Sequence, residues 1–175
     1  RVLSVTPGLR YEWGPRLRVT AGADVRYSRT EDREGSILSE LNPYGAGAFS
    51  RAAVRGTFLF DSRAPSRKAS GLDAILPTDD GEHVNGVRVS AEAFHAPKVW
   101  DVKDAYSGGE GSLAAYVGRP RAHMAFRVGG RKLWGEYPWF ESAFIGGRND
   151  RGFAGRRFAG DASLYGSASF RGWLG

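Results

Sequence analysis

Apolar and polar residues alternate along most of this chain with a period of two. In the cleanest run, from Arg16 to Ser28, every second residue from Leu17 to Tyr27 is apolar. A period of two places alternate side chains on opposite faces of a β-strand. The run exceeds the ~5–6 residues usual in soluble sheets and reaches the ~9–11 residues of a tilted membrane strand. It therefore predicts a long strand with one apolar and one polar face.

Six further stretches carry the same alternation, and together the seven predict an antiparallel all-β fold. In chain order, the predicted strands run over about 2–13, 16–28, 45–60, 86–95, 111–118, 121–132 and from 162 onward. The connections alternate in length, with tight turns at Gly14-Pro15 and Arg119-Pro120 and longer loops between them. Short turns on one side and longer loops on the other are typical of transmembrane barrels.

Composition is compatible with such a barrel and limits the alternatives. The chain has 175 residues, which is one domain at most, and 25 of them are glycine. Mean hydropathy is −0.40, but barrel strands are apolar only on alternate residues, so their average is polar. The net charge of +6 comes mainly from arginines within the strand patterns rather than in one cluster, which argues against nucleic acid as a partner.

The sequence predicts neither an enzyme nor a metal or cofactor site. The three histidines, His83, His95 and His123, lie in different elements without metal-ligand spacing. There is no cysteine, and no serine lies in a nucleophile-elbow pattern. The glycine-rich run near residue 150 lacks a phosphate-loop lysine. Asp79 and Asp80 are expected to be a solvated pair in a loop.

The polar faces of the predicted strands carry many arginines and a few acids. We expect them to line the barrel lumen and to form ion-pair networks rather than to select ions. The predicted wall residues are Arg18, Asp24, Arg26, Arg51, Arg55, Arg88, Glu92, Arg127 and Arg171. The residues expected to face lipid are Val19, Ala21, Ala23, Val25, Ala122, Met124, Phe126, Leu164 and Phe170. Aromatic residues near strand ends, such as Trp13, Tyr27 and Trp134, suit the interfacial girdles of a barrel.

The stretch before the last strand carries a glycine pair, then an Arg-Gly-Phe element, then a phenylalanine and a glycine. These residues are Gly146, Gly147, Arg151, Gly152, Phe153, Phe158 and Gly160. This order resembles the signature loop of the BamA/TamA-type outer-membrane barrels of the bacterial surface antigen superfamily, in which a glycine pair, an Arg-Gly-Phe or Arg-Gly-Tyr element and a phenylalanine-glycine element precede a strand. The chain departs from the family pattern at Asp150, where an apolar residue is usual, and at Ser169, where glutamate is usual.

A second element also resembles this family. Asp61 and Arg63 match an Asp-x-Arg element, and Pro77, Thr78 and Gly81 match a Pro-Thr-x-Gly element. In the family, both belong to a periplasmic hairpin between two strands. The resemblance covers about residues 61–171.

The resemblance implies a sixteen-stranded barrel, of which residues 1–175 would be a fragment with about seven strands and a long extracellular loop that folds inward. Arg151 would then pair with a carboxylate on a strand beyond this chain. The implied role is to insert or translocate proteins at the bacterial outer membrane, without enzymatic activity. The expected partners are outer-membrane lipid, unfolded or partly folded protein substrates and, as a further candidate, periplasmic domains of the same chain. Three alternatives stay open: a barrel that anchors or secretes an upstream passenger domain, a passive porin, and a soluble β-sandwich.

Overall fold

A computed structural model describes residues 2–30, 40–63, 85–119, 122–145 and 158–172. Strands make up most of this part of the chain. They are β1 (Val2–Val5), β2 (Gly8–Trp13), β3 (Leu17–Arg29), β4 (Ala48–Asp61), β5 (Gly86–Ala96), β6 (Tyr106–Arg119), β7 (Ala122–Trp134), β8 (Ala143–Ile145), β9 (Phe158–Gly160) and β10 (Ala162–Gly172). A short 3-10 helix spans Trp139–Glu141. The predicted all-β class is confirmed.

Eight of the strands form one antiparallel sheet in which neighbours along the chain are neighbours in space. β1 and β2 both pair with β3, and the order continues through β4, β5, β6, β7 and β10. β8 and β9 pair only with each other, between β7 and β10 in the chain. Among the described residues, the outer strands β1, β2 and β10 are not hydrogen-bonded to one another, so the described sheet is open.

β1 and β2 are one strand with a single interruption. Val5 lies opposite Val25 and Gly8 opposite Gly22, so both pieces keep the same register on β3. Between them, the carbonyl of Pro7 accepts a hydrogen bond from the amide of Ala23 at 2.9 Å. Proline has no N–H to return, and the ladder loses one bond there. The predicted first strand is thus correct in extent, with one interruption at Thr6 and Pro7.

Two predicted strand boundaries are wrong. β4 begins at Ala48 rather than residue 45, because Gly45 and Gly47 turn the chain with φ angles of +90° and +76°. β6 begins at Tyr106 rather than residue 111, so the predicted loop of residues 97–109 ends earlier. Gly108 breaks the alternation there because a side chain at that position would collide with the ring of Phe94.

The sheet keeps the alternation of its strands across its whole width. Pairs such as Val25 with Ala52, Phe58 with Ala91 and Leu113 with Val128 place apolar side chains next to each other on one face. Many large apolar side chains of this face are exposed: Val19, Val25, Val54, Phe58, Val87, Leu113, Val117, Met124, Phe126, Val128, Leu164 and Phe170. We call it the apolar face and the opposite side the polar face.

The buried core lies on the polar face, at the end of the sheet where β3 ends and β4 begins, here named the cap end. Residues 40–47, 97–105 and 135–145 cover the sheet there. Phe49 meets the rings of Tyr44 and Phe140 edge-on, at centroid distances of 5.6 and 5.4 Å. The buried hydrophobic cluster comprises Phe49, Ala53, Phe94, Ala96, Val102, Tyr106, Leu133 and Ala143. The opposite end, with the turn at residues 14–16, is the turn end.

In the part of the chain that the structure describes, no helix is both long enough and apolar enough to span a bilayer.

Candidate functional site

The segment of residues 135–145, named the cap segment, presents one carboxylate to the polar face. Pro138 has an extended backbone and leads into the 3-10 helix that ends at Glu141. The amide of Trp139 donates to the carbonyl of Tyr44 at 3.0 Å, and the hydroxyl of Ser142 donates to the carbonyl of Trp139 at 2.7 Å. These bonds fix the helix against the sheet, and the Glu141 side chain is only 6% exposed.

Glu141 is held by arginines from three different strands. Its Oε1 atom lies 2.9 Å from Nη1 of Arg26 on β3 and 3.2 Å from Nη2 of Arg51 on β4. Its Oε2 atom lies 3.2 Å from Nη2 of Arg131 on β7. The same nitrogen of Arg131 also donates to the backbone carbonyl of Glu141 at 3.1 Å. The Glu141 side chain thus links the cap segment to β3, β4 and β7.

Arg51 is the most deeply buried member of this group. Its side chain is 1% exposed, and its Nη2 atom lies 2.7 Å from Oδ2 of Asp24, which is 3% exposed. The guanidinium also lies over the ring of Phe94, 5.4 Å from its centroid. Burying a charge is costly unless it is paired. Asp24 and Glu141 together provide that pairing for Arg51.

Three more side chains extend the group into a neutral network. Arg55 lies 3.4 Å from Glu92 and 3.9 Å from Asp24, and Glu110 lies 3.7 Å from Arg131. We call the whole set the charge cluster: Asp24, Arg26, Arg51, Arg55, Glu92, Glu110, Arg131 and Glu141. Four arginines face four carboxylates, so the cluster carries no net charge.

The arginines around Glu141 have more N–H donors than the glutamate binds. Each reaches the glutamate through one nitrogen only. The Nε atoms of Arg26, Arg51 and Arg131, and Nη1 of Arg51, are buried without a hydrogen-bond partner among the described residues. A buried donor without a partner costs roughly 1–3 kcal/mol. Glu141 therefore uses only part of the hydrogen-bonding capacity of these arginines.

The predicted wall residues all lie on the polar face, as their register positions require. Asp24, Arg26, Arg51, Arg55 and Glu92 belong to the charge cluster. Outside it, Arg18 pairs with Glu12 at 2.8 Å, and the others are Arg88, Arg127 and Arg171.

Three members of the charge cluster were missed by the sequence analysis. Glu110 lies between the predicted loop of residues 97–109 and the predicted strand that begins at residue 111. Arg131 lies near the end of a predicted strand, and the sequence pattern indicated no acidic partner for it. Glu141 follows an aromatic stretch with no periodicity. Only its acidic character between two apolar runs set it apart, and that signal is too weak to assign a role.

Asp61 and Arg63 come together at the turn end. Nε and Nη2 of Arg63 bind the two carboxylate oxygens of Asp61 at 2.8 and 2.5 Å, a bidentate fork. The guanidinium of Arg63 also stacks on Tyr116, 4.2 Å from the ring centroid. This arrangement fixes the direction in which the chain leaves β4.

Most of the signature loop lies outside the described residues. This applies to Gly146, Gly147, Arg151, Gly152 and Phe153, so the inward fold of the loop and the pairing of Arg151 stay predictions. The two remaining motif residues, Phe158 and Gly160, are the ends of β9 and lie opposite Ile145 and Ala143. The cap segment therefore ends in β8, which pairs with β9 from the other side of residues 146–157.

Metal chemistry has no candidate among the described residues, where no group of three or more His, Asp or Glu side chains could hold an ion. His95 shares a hydrogen bond of 2.9 Å with Ser107. His123 lies on the polar face, away from the charge cluster.

Tyr137 ties the cap segment to the start of β10 through a hydrogen bond from its hydroxyl to Asp161. Burial and then this bond raise the pKa of Tyr137 to about 12. Since the unfolded pKa is about 10, the tyrosine stabilises the fold fully below pH 10, and this contribution is lost as the pH rises towards 12.

We expect Tyr137→Phe to destabilise the protein by about 1 kcal/mol at pH 9, because a hydrogen bond is lost. By pH 12 the stability advantage of the wild type should be lost, because Tyr137 then ionises more readily in the unfolded chain, whereas phenylalanine does not titrate. Denaturant unfolding at the two pH values measures it. An equal difference at both values would show that Tyr137 does not titrate in this way.

Comparisons with protein-family models, with curated proteins and with solved structures find no match. The geometry must therefore carry the functional conclusion. Its two main features are an exposed apolar face and a polar face with a buried, neutral charge cluster under the cap segment.

Proposed function

We propose that this chain is part of a transmembrane antiparallel β-barrel of the BamA/TamA type, which assists the insertion or translocation of proteins at the bacterial outer membrane. The apolar face then contacts lipid, and the polar face lines the lumen. The role is not enzymatic and uses no cofactor. Its partners are outer-membrane lipid and unfolded or partly folded protein substrates.

The exposed apolar face is the observation that carries this proposal. Soluble monomers rarely expose apolar patches larger than a few hundred Å². Here the exposed apolar side chains extend over every strand of the main sheet, while the core lies on the other side. Alternation with apolar residues outside and polar residues inside is the pattern of membrane barrels. A β-sandwich would instead bury this face.

Strand length supports the same conclusion. The six long strands, β3 to β7 and β10, have 11 to 14 residues each. At ~3.3 Å per residue they are about 36–46 Å long, and a tilt of ~45° reduces the height to about 25–33 Å. This height matches the ~30 Å hydrocarbon core of a bilayer.

The signature-loop residues and the Asp61–Arg63 element support the family assignment. Phe158 and Gly160, the described part of the motif, pair with β8 at the end of the cap segment. The cap segment also favours the insertion or translocation role over a passive porin. It covers the cap end of the polar face, which would be the pore wall of a porin. A barrel that anchors a passenger domain has no specific observation in its favour.

Insertion activity tests the function directly. We expect the purified full-length protein, reconstituted in liposomes, to accelerate the membrane insertion of an unfolded porin several-fold over empty liposomes. Liposomes with an unrelated outer-membrane barrel are the control. Equal rates with both proteins would contradict the assembly role, and a steady ion conductance without insertion would favour the porin.

Tryptophan fluorescence tests the orientation of the two faces. Trp134 ends β7 and is 55% exposed on the apolar face, whereas Trp139 lies in the cap segment next to Phe140. In single-tryptophan variants of the full-length protein, brominated lipids should quench Trp134 strongly and Trp139 weakly. Bromine quenches only at close range, so equal quenching of the two tryptophans would contradict the proposal that the apolar face contacts lipid.

A further inference from the structure

The arginines that hold Glu141 form a binding site whose occupant belongs to the same chain. Arg26, Arg51 and Arg131 come from three separate strands of the sheet, and their positions are set by the sheet register. Glu141 comes from the cap segment, which packs on the main sheet without being one of its strands. The positions of the arginines are thus set by the sheet, whereas the position of the carboxylate depends on the packing of the cap segment.

The charge balance defines which ligand would fit. Without Glu141, four arginines face three carboxylates, and the site carries one positive charge. A single carboxylate restores neutrality, whereas a phosphate dianion would overcompensate. The nitrogens of Arg26, Arg51 and Arg131 that now bind Glu141 are the donors that such a ligand would meet, and the same guanidinium groups hold further nitrogens without a partner among the described residues.

Burial couples the two carboxylates. The Arg51 side chain is 1% exposed and has two counter-charges, Asp24 at 2.7 Å and Glu141 at 3.2 Å. A carboxylate that takes the place of Glu141 restores the second counter-charge and so stabilises the state in which Glu141 is displaced. Binding of the anion and displacement of Glu141 are therefore coupled, because the ligand binds only the displaced state.

We propose that Arg26, Arg51 and Arg131 form a carboxylate-binding site that takes an acidic side chain of a client polypeptide in exchange for Glu141. The identity of the client rests on the proposed function, but the site itself does not. Glu141 acts as an internal stand-in that keeps the cap segment closed until an acidic segment enters.

Chemical rescue tests the site without any client. Full-length protein in detergent micelles is unfolded thermally at constant ionic strength, with chloride replaced stepwise by acetate. Glu141→Ala should lower the unfolding midpoint by several degrees, and acetate should restore part of the loss. Wild type and Glu136→Ala, an exposed acid of the same segment, should not respond. If acetate and chloride act alike on Glu141→Ala, no carboxylate site exists.

A second measurement identifies the source of the carboxylate. A labelled, unstructured peptide with several glutamates is compared with the same peptide carrying glutamines. Glu141→Gln, which keeps the size of the side chain, should prefer the glutamate peptide on the order of tenfold, a typical allosteric coupling. Adding Arg131→Gln should abolish the preference. Equal binding of both peptides to Glu141→Gln would overturn the client exchange even if acetate rescues.

These outcomes are separable from those of the proposed function. A protein that shows the rescue but does not insert porins would keep the carboxylate site and lose the assembly role. A protein that inserts porins without a peptide preference would keep the role and lose the exchange.

Discussion

Replacing Arg51 with methionine is expected to destabilise the folded protein by about 3–5 kcal/mol, the range for breaking a buried ion pair on one side. Methionine fills a similar volume but leaves the 3% exposed Asp24 with Arg55, at 3.9 Å, as its nearest cation and a hydrogen bond of 3.5 Å from the Thr6 hydroxyl. Glu141 would lose one of its three arginines. Denaturant unfolding of the full-length protein in micelles measures the change.

The matched control is Arg18→Met on the neighbouring strand and the same face. Arg18 pairs with Glu12 at 2.8 Å, but the two side chains are 33% and 50% exposed. An exposed pair contributes about 0–1 kcal/mol, so this variant should differ little from wild type. If both variants lost equal stability, the burial of Arg51 would not be the cause. The double variant Arg51→Met, Asp24→Asn should be more stable than Arg51→Met alone, because it removes the stranded charge.

If the apolar face contacts lipid as proposed, an arginine at Ala23 is expected to destabilise the protein in a bilayer by about 2–4 kcal/mol. Ala23 lies in the middle of β3 on the apolar face, opposite Val54. A charged side chain there would have to enter the hydrocarbon region. Urea unfolding of the full-length protein in lipid vesicles gives the free-energy difference.

Thr20→Arg is the control, because Thr20 lies on the same strand with its side chain on the polar face, opposite Thr57. Its cost should remain well below that of Ala23→Arg. Equal unfolding midpoints for the two variants would mean that the apolar and polar faces of β3 are not in different environments, and would contradict the contact of the apolar face with lipid. Repeating the pair in a lipid-free micelle should narrow the difference, since detergent adapts to a charge more readily than a bilayer does.

Most of the sheet was predictable because the signal was local and repeated. The alternation from Leu17 to Tyr27 determines the faces of β3, and a one-residue slip would exchange them. The same signal located β5, β7 and β10 to within two residues. It failed where local pattern and packing disagree. At Gly108 the Phe94 ring leaves no room for a side chain, and at Gly45 and Gly47 the chain turns.

The charge cluster was only half predictable for a related reason. Asp24, Arg26, Arg51, Arg55 and Glu92 lie on the polar face because strand periodicity places them there. Glu141 is 115 residues away from Arg26 in the chain and meets it only because the cap segment folds back onto the sheet. Periodicity says which face a strand residue occupies, but it does not tell which irregular segment covers that face.

The interruption at Pro7 has a consequence for the side of β1 and β2 that faces away from β3 and has no partner strand among the described residues. Because the carbonyl of Pro7 points towards β3, alternate residues such as Thr6 and Gly8 direct their backbone N–H and C=O groups outward. The missing proline donor therefore weakens only the inner ladder. Between Val2 and Glu12, no proline occupies an outward position, and the outer row of donors and acceptors is continuous. Proline is a common device for blocking an edge strand, but here it leaves the edge ready to add another strand.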